Sequence, residues 1–258
     1  MALFPSVKHR VYNYTFLLNT FTALHFEKRD EENCGPEVRE RMKEFLMDNF
    51  NTNGQHNYPT ESLQVESEDH VITYEFGPTY TSLRIGRPQY VAFGRSMLPH
   101  ATRLRMFAFK VLKLEKIKQV DVRKISVLPM LVNEVTPTAD NARNIMSKIL
   151  SDDVMSLVTI QEIDGVPNSV GPFTRHIMED SDTHFMYEIV IGFLRDQHRE
   201  NIYNVILDAK CFYAPLQGIV ATEIEDLQSD MSKYLYDFYH WAVKGHVIDI
   251  MKEGLNNG

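Results

Sequence analysis

The chain has 258 residues, 43% hydrophobic and 24% charged, with a formal net charge of −8. That hydrophobic share, with 15 Phe and 12 Tyr, fits a folded globular protein and excludes a disordered one. No apolar run approaches the ~20 residues of a membrane span, no secretory signal opens the chain, and Cys34 and Cys211 stand far apart without a C-x-x-C pair, so a cytoplasmic protein without disulfides or a zinc scaffold is expected.

In chain order, residues 12–27 are β-branched and aromatic without a breaker and predict one long strand. Pro36 then opens a helical pattern, with Val38, Met42, Phe45, Leu46 and Phe50 on one side. Residues 51–57 (NTNGQHN) predict a polar turn. Alternating segments at 63–68, 71–76, 80–85 and 89–93, broken by Gly77-Pro78 and Gly86-Arg87-Pro88, predict a meander of strands. Helical spacing returns from Leu98 to Ile117.

The order then begins again. A strand is expected over 122–134, with Pro129 marking an edge or a bulge. A short helix over 140–150 and strands over 154–163, 173–178, 185–194 and 202–213 follow. The last element is a long helix from Thr222. There Thr222 and Glu225 have the spacing of a capping box, and Ile224, Leu227, Met231, Tyr234, Phe238 and Trp241 form an apolar stripe. Both halves thus read strand, helix, three or four strands, helix. The fold class expected is α+β, a duplicated unit over 1–119 and 120–258 whose strands form curved antiparallel sheet with helices packed on one face. Folds resembling the TATA-binding protein and the helix-grip proteins have this order.

Charge is unevenly spread. Residues 84–124 hold eleven Lys and Arg against Glu115 and Asp121, whereas residues 1–83 and 125–258 carry −6 and −11. On the helix after Leu98, Leu104, Phe107, Ala108, Val111 and Leu114 take one side, and Lys110, Lys113, Lys116 and Arg105 the other. Such a face suits an acidic protein or the phosphates of a nucleic acid.

Four features resemble a sporadically distributed bacterial family of about this length, made up of conserved proteins of unknown function. They are the opening Asn13-Tyr14-Thr15-Phe16, Tyr58-Pro59 before the meander, an Arg-led strand from Arg123 to Asn133, and Leu207-Asp208 ahead of the long amphipathic C-terminal helix. The sequence departs from the family pattern at Ala209 and Lys210, where a branched residue and an acid are usual, which argues against an acidic metal pair at Asp208. The family's scattered occurrence implies a part in phage defence or in neutralising a toxin.

Signatures for phosphate cradles, zinc proteases and α/β-hydrolases are missing, and no catalytic set or cofactor motif emerges. His176 and His184 flank the acidic run 179–182, which reads as a hairpin loop and not as a metal site. Cys211, in an apolar strand, is expected to be buried and inert. The expected function is therefore non-enzymatic binding of an acidic protein or nucleic acid through Arg103, Lys110 and Lys113, with Arg84 and Arg87 on an adjoining turn. The alternative is a small-molecule binder or enzyme whose cleft between sheet and C-terminal helix is lined by Phe212, Tyr234 and Trp241. The even spacing of the C-terminal stripe also suits a homodimer seam.

Overall fold

The computed structural model describes residues 13–15, 20–25, 36–49, 52–57, 63–67, 72–76, 79–85, 93–111, 113–127, 130–132, 146–158, 174–195, 202–245 and 247. Within the strand expected over 12–27, the described residues form β1 (Asn13–Thr15) and β2 (Thr20–His25). Helix α1 (Pro36–Asn49) starts at the proline, whose fixed φ and missing N–H suit a first turn. Residues 51–57 depart from expectation. Instead of a turn, β3 (Thr52–Asn57) pairs antiparallel with β4 (Leu63–Ser67), with a register shift between Thr52 and His56. It is the last strand of the sheet, a position that tolerates a polar, irregular sequence.

The meander continues through β5 (Ile72–Phe76) and β6 (Tyr80–Ile85). Helix α2 (Phe93–Lys110) begins five residues earlier than expected, keeps Pro99 inside it, and ends well before Ile117. It ends there because Lys113 takes a left-handed φ of 51°, which turns the chain so that the Leu114 N–H donates to the Ala108 carbonyl at 2.9 Å. Of the strand expected over 89–93, residues 89–92 lie outside the described residues and Phe93 is helical.

The second half contributes β7 (Lys116–Ile117), β8 (Gln119–Val127) and β9 (Met130–Val132). It continues with β10 (Thr174–Glu179), β11 (Met186–Arg195), β12 (Ile202–Tyr213) and β13 (Ile219–Val220). Of the strand expected over 154–163, the first residues belong instead to a short helix, α3 (Asp152–Leu157), and residues 159–163 lie outside the described residues. The Ser151 hydroxyl caps it by accepting from the Val154 N–H, and Asp152 and Asp153 favour its N-terminus. Most of the helix expected over 140–150 lies outside the described residues; its end, Met146 to Leu150, packs with α3 against the end of the last helix.

Eleven strands form one sheet. From one edge the order is β3, β4, β5, β6, β2, and from the other β10, β11, β12, β8; the two runs meet where β2 and β8 pair antiparallel, Thr22 opposite Val122 and Leu24 opposite Val120. One meander therefore lies beside β2 and the other run of strands beside β8, and the expected α+β class is realised as one sheet among the described residues. β13 and β7 make a separate two-stranded ribbon.

Alternation along the strands sends Leu24, Leu83, Val120, Val122, Ala209 and Cys211 to one side. There they pack with Leu104 and Phe107 of α2 and with Ile224, Met231 and Leu235 of the long helix α4 (Ile224–Ala242). Two expectations for α4 are corrected. A 3₁₀ turn, Ala221–Glu223, precedes it, and no side chain caps it; the Glu225 carboxylate is engaged by Arg105 instead. Its buried face runs through Ile224, Gln228, Met231, Ser232, Leu235, Tyr239 and Ala242, a stripe of true 3.6 period. The stripe read from sequence keeps the shorter period of 3.5, so Tyr234 and Trp241 sit on the rim, half-exposed. No helix among the described residues is long and apolar enough to cross a membrane.

Candidate binding surface

The basic segment is divided by the fold. Ser82, Ala23 and Asp121 are cross-strand partners on the side of the sheet away from α2 and α4, so Arg84, two residues beyond Ser82, projects on that side as well. Arg87 lies outside the described residues. Arg103, on α2, donates to the Tyr74 hydroxyl; burial raises the pKa of that phenol and the guanidinium opposes the rise. Arg105 turns the other way and binds Glu225 of α4 at 2.7 Å, joining the two helices. Arg103 and Arg105 thus serve the interior of the molecule, and Arg84 stands apart from α2.

What remains together is the stretch that leaves α2. Lys110, Lys113, Lys116 and Lys118 are all exposed, accompanied by Glu115. The ribbon that follows sets apolar groups among them. Val220, 44% exposed, lies directly opposite Lys116, while the turn from Pro215 to Gly218 holds Leu216 wholly in solvent. Gly218 is required there. Its φ is +71°, and a Cβ would sit 3.1 Å from the Ile117 carbonyl oxygen and 3.6 Å from the Lys116 Cβ, so the turn lies tightly on the lysine strand. The Ala221 N–H donates to the Glu115 carbonyl and extends this tie. On the last turn of α2, Phe109 is also exposed.

Lys116 was placed on the basic face from the sequence, whereas Lys118, Leu216 and Val220 were not singled out. One signal was present for Leu216, an apolar residue inside a Pro-x-x-Gly turn that matches neither a helical nor a strand period.

No protein-family model matches the chain, and no curated protein matches it. The surface must therefore be read from its own chemistry.

The far side of the sheet holds a second polar constellation. Asp121, with its side chain 4% exposed, contacts His25 through one carboxylate oxygen and Lys210 at 3.1 Å through the other. Tyr80 donates to Glu75 at 2.5 Å, and burial with help from that carboxylate pushes its phenol up to about 12. Arg123 with Asp208 and Arg175 with Glu188 complete a set of opposite-charge pairs across the strands. Each cation in this set faces an acid, which is the pattern of a self-neutralised polar face.

The three residues expected to line a cleft are not brought together. Phe212 pairs with Asp121 in register and lies under the Lys210 ammonium, 5.2 Å from its ring centroid, on the side opposite α4. Tyr234 packs edge-on to Phe185, and the Trp241 indole donates to Asp153 of α3 at 3.1 Å. Cys211 is buried as expected, and burial pushes its thiol up to about 12. Glu179 and His184 meet at the β10–β11 turn, while Asp180 accepts the backbone N–H groups of Asp182 and Thr183, which lowers its pKa. No group of three or more His, Cys, Asp or Glu among the described residues is placed to hold a metal ion.

Proposed function

We propose that this is a non-enzymatic binding protein that captures an acidic partner protein at the lysine-rich margin formed by the end of α2 and the β7–β13 ribbon. The observation that carries the reading is the pairing of exposed Val220 with exposed Lys116, beside the fully solvated Leu216 and with Lys110 close along the chain. Cations set among exposed apolar groups suit an acidic segment that also offers an apolar side chain, because the ammonium groups steer the encounter and the apolar contact slows release. A nucleic acid fits less well: its continuous negative charge would also meet the acidic remainder of a chain whose net charge is −8. A partner of this kind is what a toxin-neutralising or phage-defence component would capture.

The test is titration of a fluorescent poly-glutamate peptide against the wild-type protein and Lys110→Glu/Lys116→Glu. Wild-type binding should weaken several-fold between about 50 and about 200 mM salt, and the double variant should bind at least tenfold more weakly while unfolding at the same temperature. Equal binding by both proteins, or no effect of salt, would refute the reading; tighter binding of a DNA duplex than of poly-glutamate would replace it with the nucleic-acid reading.

A further inference from the structure

Among the described residues, two edge strands of the sheet, β3 and β10, differ in kind. β3 is polar in sequence and broken in register, the irregularity that keeps an edge from recruiting another strand. β10 is regular: all six of its residues keep register with β11, and no other strand among the described residues pairs with it. It also exposes two large apolar side chains, Ile177 at 55% and Met178 at 43%. A regular edge with exposed apolar groups is a template for strand addition.

The charges on β10 suggest what adds. Arg175, Ile177 and Glu179 alternate onto one side of the strand, placing a cation and an anion symmetrically about Ile177. The side chains of Arg175 and Glu179 are 62% and 59% exposed, so each keeps room for a second partner beyond Glu188 and His184.

We propose that β10 pairs antiparallel with β10 of a second copy of this chain, about a two-fold axis at Ile177, joining two sheets edge to edge. In that register Arg175 faces the partner's Glu179, Ile177 faces the partner's Ile177, and His176 faces the partner's Met178. The interface is isologous, so each ion pair forms twice and the assembly closes as a dimer. This surface is separate from the lysine-rich margin, and neither proposal depends on the other.

Sedimentation of the full chain over about 1 to about 100 μM tests the proposal, using the wild type, Arg175→Glu, Glu179→Arg and the double reversal. The wild type should dimerise, each single reversal should weaken the dimer at least tenfold, and the double reversal should restore it, which separates a lost interface from a lost fold. Ile177→Cys should crosslink to its own copy on mild oxidation, since directly paired strand positions fall within disulfide reach. A wild type that stays monomeric throughout, single reversals that dimerise normally, a double reversal that stays monomeric, or an Ile177→Cys dimer that does not crosslink would each overturn it.

Discussion

Asp121 is the most consequential single side chain of the sheet's polar side, because its buried carboxylate is held by Lys210 and His25 from two other strands. Removing it leaves a partly buried ammonium without its counter-charge, so Asp121→Ala should destabilise the fold by about 3 kcal/mol in denaturant unfolding. Lys113 makes the opposite prediction. Its left-handed backbone strains any residue with a Cβ, so Lys113→Gly should stabilise by about 0.5–1 kcal/mol and Lys113→Val should destabilise. The Cys211 thiol titrates near 12 in the fold against an ordinary 9.0, and Tyr80 near 12 against 10.0. Both folded values are raised, so their contribution is complete below about pH 9 and disappears as pH climbs towards 12. The unfolding midpoint should accordingly fall between pH 9 and 11, and native Cys211 should resist alkylation until the protein unfolds. The burial of Cys211 was legible, since Lys210-Cys211-Phe212-Tyr213 reads as an apolar strand. The role of Asp121 was not. In sequence it is one acid within a basic stretch, and only strand pairing brings its partners to it.

At the scale of elements, α2 and α4 are joined by Arg105 and Glu225 at 2.7 Å, each side chain about a third exposed. A double-mutant cycle on this pair should return about 0.5–1 kcal/mol of coupling, reduced by salt. Most strands were readable because alternation or β-branched runs mark them clearly, as in Ile202–Tyr213. The failures have separable causes. Val154 to Ile163 carries a β-prone run, but Ser151, Asp152 and Asp153 supply a cap and a favourable first turn, and local capping prevails for six residues. Helical spacing was legible only from Leu98, whereas the helix extends upstream to Phe93. In α4, large aromatics drew the expected stripe, while the smaller and polar Gln228, Ser232 and Ala242 are among the residues that the helix buries. Aromatic size is a poor guide to helix orientation where the rim has room for rings such as Trp241, which is 43% exposed.

For the whole molecule, the order of elements was enough to foresee an α+β sheet, because meander and hairpin connections leave few ways to arrange such a sequence. The concentration of positive charge was equally visible, but its subdivision was not. Sheet alternation sends Arg84 to one side, Tyr74 and Glu225 engage Arg103 and Arg105, and among the described residues the stretch through Lys110, Lys113, Lys116 and Lys118 is the part gathered at the surface. Amine acetylation footprinting, with and without bound poly-glutamate, tests the proposed role of that stretch most directly. Protection concentrated at Lys110, Lys116 and Lys118, with Lys210 and Lys244 unchanged, is the predicted result. Protection spread evenly over all lysines, or confined to residues outside 110–118, would contradict it.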